Sequence, residues 1–222
     1  MLQHFSFRVI GQYIPLFLQG LWATCWISGI SIFFALLLGI VACGLRLSRK
    51  KLFKKIAGIY IESIRSTPLL AQLYFFYFGL PSLHININEV QTGILALSLN
   101  SGAYIAEIIR AGIVSIPTGQ TEAATAYGLS YIQRMRYIIL PQAIGVTIPA
   151  LLGQFIVLVK DSSLVSLISV LELTRAAQLM ASERFMPAEG FFTAAAFYLL
   201  IYYALKYLSV WWQKRLIFME GR

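Results

Sequence analysis

Of the 222 residues, 59% are hydrophobic and only 12% charged, and the mean hydropathy is +0.74. So much apolar surface excludes a soluble domain with one core and points to an all-α integral membrane protein. The formal net charge of +9 suits anionic lipid and membrane topology rather than nucleic acid, because the basic residues collect at the ends of apolar runs.

Uncharged runs cover residues 9–45, 66–88, 90–106, 137–159 and 190–205. A crossing takes about 20 mainly apolar residues, so each run supplies one helix, two of them borrowing from their flanks. Five crossings are expected. The first run is too long for a cleaved signal and is expected to remain in the mature protein. It holds both cysteines, Cys25 and Cys43, 18 residues apart; on one helix they stand about 27 Å apart and cannot pair.

After the first run, RLSRKKLFKK (46–55) carries Arg46, Arg49, Lys50, Lys51, Lys54 and Lys55 and no acid. Basic loops stay on the cytoplasmic side. Alternating crossings then put the N-terminus and loop 81–88, which lacks Lys and Arg, outside. The loop around 115–136, with Arg134 and Arg136, and the C-terminal Lys214, Arg215 and Arg222 lie inside. The run 162–171 lies between Asp161 and Glu172, is too short to span, and reads as a re-entrant or interfacial piece.

Polar residues inside apolar helices are costly in lipid and must face something else. On the second crossing Glu62, Arg65 and Gln72 share roughly one side. On the third, Asn100 and Glu107 do, with Tyr104 between them. On the fourth, Thr147, Gln154 and Asp161 follow at a spacing of seven, Asp161 being preceded by Lys160. Three stripes imply a shared interior. Asn100, Tyr104 and Gln154 lie deepest and are candidates for lining a solute path; Glu62 and Arg65 are expected to form an ion pair near the cytoplasmic end.

Enzyme signatures are missing. No stretch matches G-x-x-x-x-G-K-[ST], and His4 and His84 have no neighbours at metal-ligand spacing. The chain is expected to bind no metal or cofactor and to catalyse nothing itself.

One polar segment rich in small residues interrupts the apolar pattern: EAATAYGLSYIQRMRYIILP, residues 122–141. Ala123, Ala124 and Ala126 favour helix, and Gly128 permits the positive φ of a sharp turn. The spaced set Glu122, Ala123, Ala124, Gly128, Ile138, Leu140 and Pro141 resembles the EAA signature of permease subunits of ABC-type importers. The resemblance extends to IESIRSTPLLAQL (61–73), where Pro68 breaks a helix, to NSGAYIAEIIRAGIVSIPTGQTEAA (100–124) and to KDSSLVSLISVLELTRAAQ (160–178). These stretches are similar to the polar amino-acid permeases (His, Glu, Gln, Arg and opine types), with mild departures at Tyr127 and Ser162.

That resemblance implies one permease domain over residues 1–222 with the type I ABC importer fold, set in the bacterial cytoplasmic (inner) membrane. It implies a docking loop at about 115–136 for ABC ATPase subunits, which would carry the ATP and Mg. It further implies a second permease subunit, as homo- or heterodimer, and an external or periplasmic solute-binding protein. Gln154 stands where basic-amino-acid permeases carry a carboxylate and glutamine permeases carry Gln, so glutamine is the leading solute and a basic amino acid or opine the nearest alternative. A channel or secondary carrier would use the same buried polar groups but has no use for such a loop.

Overall fold

The computed structural model describes residues 6–220, with side chains through Trp211. His4 and Arg222 lie outside the described residues, and so do the side chains of Lys214 and Arg215. The described secondary structure is helical: α1 (Phe7–Arg46), α2 (Lys51–Arg65), α3 (Leu69–Ser82), α4 (Glu89–Val114), α5 (Thr118–Ala126), α6 (Tyr131–Arg134), α7 (Leu140–Asp161), α8 (Leu173–Arg184) and α9 (Pro187–Glu220).

Four stretches are long and apolar enough to cross a bilayer: Phe7–Arg46, Glu89–Val114, Tyr131–Ile168 and Pro187–Trp211. The crossing expected over 66–88 takes another form. Helix α3 has 14 residues, about 21 Å, which is short of a hydrocarbon core of roughly 30 Å. It is preceded by α2 across a break at residues 66–68. Pro68 causes the break: it has no N–H for the carbonyl of Ile64, and its extended backbone (φ −62°, ψ 138°) starts a new helix. The freed carbonyl does not stay empty. Gln72 Nε2 donates to Ile64 O at 2.7 Å and to Thr67 O at 3.1 Å, a side chain doing what Pro68 N–H cannot.

The core sits around α4, whose buried face is built from Ala96, Ser98, Ser101, Gly102, Ala103 and Ala106. Small residues let helices approach closely where lipid offers no hydrophobic drive. A Cβ on Gly39 of α1 would come within 2.8 Å of Ile105 Cβ, so Gly39 is needed for this approach. Ser98 Oγ donates to Ser31 O at 3.4 Å, and with the Gly39 contact this makes α1 and α4 parallel. Gln154 meets Ser101, while Gly112 meets Thr147 and Ala143, so α7 runs antiparallel to α4. Phe17 stacks on Phe197 at 6.0 Å and Ser6 N–H donates to Glu189 at 3.3 Å, so α9 follows the direction of α1. Helices α1, α4 and α9 thus run one way and α7 the other, so the α2–α3 segment must carry the chain back between α1 and α4.

Residues 162–171 are largely packed against the rest of the protein. Ser162–Ile168 forms a 3-10 helix continuing α7, with Ser162, Val165, Ser166 and Ile168 buried. A turn through Ser169 (φ 65°) then leads to Glu172, the N-cap of α8. Irregular backbone is tolerated at such a place because protein covers it.

Candidate functional site

The segment from 118 to 141 is a short helical hairpin running into α7. Helix α5 ends in a double-bonded cap: Leu129 N–H reaches Ala124 O at 3.1 Å and Gly128 N–H reaches Thr125 O at 2.9 Å, with Gly128 at φ 76°. That is the Schellman arrangement, and it places Gly128 in the left-handed region. Ser130 starts the return helix with a capping box, its N–H donating to Gln133 Oε1 at 2.8 Å and its Oγ accepting from Gln133 N–H at 3.4 Å. Arg134 Nη1 donates to Thr125 Oγ1, tying the two arms together. Glu122 and Ala123 are exposed and Ala124 is buried; Tyr127, Tyr131 and Ile132 stand out into solvent, Tyr127 at 86% exposure.

Between α6 and α7, Met135–Ile139 is a π turn, closed by Leu140 N–H to Met135 O. Pro141 accounts for it. With no N–H to give Tyr137 and a ring that crowds the carbonyl there, it forces the turn to widen. Gln142 Nε2 donates to Ile138 O at 2.8 Å, adding a side-chain bond beside the widened turn. Ile138, Leu140 and Pro141 thus lie at the junction between the hairpin and α7.

The interior polar residues are placed as follows. Asn100, 6% exposed, donates from Nδ2 to Gln72 Oε1 at 3.0 Å, linking α4 to the α2–α3 break. Glu107 is held by Arg110, one turn on, through Nε at 3.0 Å and Nη2 at 2.8 Å, a bidentate pair. Gln154 Nε2 donates to Ser101 Oγ at 3.3 Å. Thr147 is buried, with its hydroxyl on Ile144 O at 3.2 Å. Asp161 is half-buried at the far end of α7, next to an exposed Lys160.

The expected pair of Glu62 with Arg65 does not form. Glu62 accepts from Arg46 Nη2 at 2.8 Å, and Arg65 lies over the ring of Tyr104 at 5.2 Å. The cause is Gly58, where a Cβ would collide with the Arg46 guanidinium; its absence lets Arg46 cross α2 to Glu62. Both Glu62 and Arg65 are exposed and Gln72 is buried, so the stripe expected over 62–72 is cut at the break.

The sequence reading missed Arg110, Ser101, Gln142 and above all Glu172. Glu172 is 0% exposed. Its carboxylate accepts from Arg175 N–H at 2.7 Å, Thr174 N–H at 2.9 Å and Tyr198 Oη at 2.5 Å, fixing the start of α8 against α9. Helix α1 presses on the same point: a Cβ on Gly20 would stand 3.0 Å from Glu172 C and O, and Thr24 Oγ1 accepts from Leu173 N–H at 3.3 Å. An acidic residue just before a helical stretch is the N-cap signal that marks it in the sequence.

Residues 31–218 match the family described as binding-protein-dependent transport system inner membrane component. The chain is 36% identical over 206 residues to the glutamine transport system permease protein GlnP of Escherichia coli strain K12, covering 92% of this chain and 94% of that protein. It is 37% identical over 167 residues to the L-cystine transport system permease protein TcyB of Bacillus subtilis, covering 75% and 71%. Among solved structures it is similar to an amino acid ABC transporter crystallised with histidines, at 38% identity and a TM-score of 0.91, covering 95% of this chain and 98% of that one. The all-α fold is thus that of ABC importer permeases, and the chain belongs to the inner-membrane components of binding-protein-dependent transport systems.

Proposed function

We propose that this permease carries a polar amino acid, glutamine first, into the cell by alternating access, driven by ATPase subunits that grip the α5–α6 hairpin. The observation behind the reading is the hairpin itself: an exposed, capped handle followed at once by a π turn opening into α7. A carrier or channel working without an ATPase has no use for such a handle. Uphill transport against a ten-thousandfold gradient requires about 5.5 kcal/mol, and binding within the permease cancels over a cycle, so an external energy source is needed. ATP and Mg would sit on the ATPases; a second permease subunit and an external solute-binding protein complete the assembly.

The hairpin and the basic segment share one end of the bundle, since Leu47, Ser48 and Arg49 face Tyr131 and Met135 across a cleft. The N-terminal part of α1 meets the α8–α9 turn at the other end, where Tyr13 Oη donates to Glu183 at 2.6 Å. The first end is read as cytoplasmic from its charge. With Cys25 and Cys43 replaced, a cysteine at the exposed Ser82 is expected to react with an impermeant thiol reagent outside intact cells, and a cysteine at Ser48 is not. The reverse pattern overturns the orientation.

Relatives are named for glutamine and for cystine, which supports a polar amino acid, and the amide at Gln154 supports glutamine. Asn100, Tyr104, Glu107, Thr147, Lys160 and Asp161 complete the proposed pathway set, while Glu62, Arg65 and Pro68 shape its second element. Gln154→Glu adds a charge at constant length, and a charge-assisted hydrogen bond is roughly twice as strong as a neutral one. The variant is expected to shift competition in proteoliposomes toward arginine over glutamine, with a binding protein that delivers both. An unchanged ratio with robust transport makes Gln154 a bridge to Ser101 and nothing more.

A further inference from the structure

The basic end of the bundle holds a cleft of about 650 Å³ between α1, α4 and the π turn. Its walls are Ile40 of α1, Ile109 and Ile113 of α4, and Met135; Arg49 and Tyr131 stand at its mouth. No acidic residue lines it. Of the six basic residues in 46–55, Arg46 is the one with an acidic partner among the described residues, while Arg49, Lys50, Lys51, Lys54 and Lys55 are exposed. The cleft therefore offers a mainly apolar interior and a positive rim with no built-in counter-charge. Two of its lining helices, α1 and α4, are long and apolar enough to cross a bilayer.

A ligand that fits must be apolar over most of its length and anionic at one end. An amino acid has no such tail, and a nucleotide would put polar groups against Ile109 and Ile113. We propose that this cleft binds an anionic glycerophospholipid, an acyl chain lying between α1 and α4 and the headgroup phosphate on Arg49. Basic pockets between membrane helices recognise lipid head groups in this way, each basic residue strengthening binding by about fivefold. The inference rests on the chain spanning a bilayer and does not depend on which solute it carries.

Native mass spectrometry of the purified chain, with whatever subunits copurify, in micelles doped equally with phosphatidylglycerol and phosphatidylcholine is the test. The wild type is expected to retain phosphatidylglycerol preferentially. Arg49→Gln is expected to lower that preference by about fivefold while lipid of either class still binds. Gly44 also lines the cleft, and a Cβ there meets nothing within 4 Å, so Gly44→Phe extends a ring into open space and is expected to abolish retention of both lipids. Equal retention of the two lipids by the wild type, a preference unaffected by Arg49→Gln, or undiminished phosphatidylglycerol in Gly44→Phe overturns the proposal. So does loss of a partner subunit from Gly44→Phe with lipid adducts intact, which assigns the cleft to that protein.

Discussion

Glu172→Leu is expected to destabilise the folded chain by roughly 3 kcal/mol or more, since it removes an N-cap worth about 1 kcal/mol and strands buried donors at about 1–3 kcal/mol each. The donors are the N–H groups of Thr174 and Arg175 and the hydroxyl of Tyr198. All three donate, and an ionised carboxylate only accepts, so the match is one of chemical type as well as position. Glu172→Gln keeps one acceptor oxygen but turns an NH2 toward donors, and its loss should be intermediate. Tyr198→Phe removes a single bond and should cost least. Melting temperatures of the purified protein in detergent rank the three variants. The double variant Glu172→Leu/Tyr198→Phe should fall short of the sum of the singles, because the two groups share one interaction. An unchanged melting temperature for Glu172→Leu refutes the assignment.

Four spans were readable because a bilayer imposes a length of apolar sequence that few other structures need; the fifth, expected over 66–88, was not, because Pro68 divides that stretch into two shorter helices. Two backbone events were equally open to reading: the break at Pro68 and the positive φ at Gly128, each tied to one residue type with a singular backbone. The partners of the polar groups were not readable. Periodicity places Glu62, Arg65 and Gln72 on one face only if the helix is continuous; the break at residues 66–68 resets the phase, leaving Glu62 and Arg65 exposed and Gln72 buried.

What the sequence hides is who repairs a broken helix. Pro68 leaves the carbonyl of Ile64 without its usual donor and the Gln72 amide supplies one, while beside Pro141 the Gln142 amide donates to Ile138, the neighbour of the carbonyl that Pro141 cannot serve. Gln72 in the sequence is one member of a polar stripe, yet its donor group is occupied by the break and its acceptor by Asn100. Glu172 read on its own is the charge that ends an apolar run. Only the packing of Gly20 and Thr24 against it shows that α1, α8 and α9 meet there.

Gly128→Val is expected to cut ATPase association and solute uptake by roughly five- to thirtyfold while the membrane helices stay inserted. At φ 76° an L-residue pays about 1–2 kcal/mol, and a β-branched one is a genuine outlier; a difference of that size shifts an equilibrium by the stated factor. A Cβ at Gly128 meets nothing within 4 Å, so crowding inside the chain contributes nothing and the effect is one of backbone conformation. Asn tolerates the left-handed region, so Gly128→Asn should retain most coupling despite a larger side chain than alanine. Copurification of the ATPase with tagged variants, followed by uptake in proteoliposomes, separates the cases. If Val and Asn fail alike, the side chain is colliding with a partner surface at that point and the turn is not the cause. If Val couples normally, the α5–α6 hairpin is not the handle through which ATP hydrolysis moves α7.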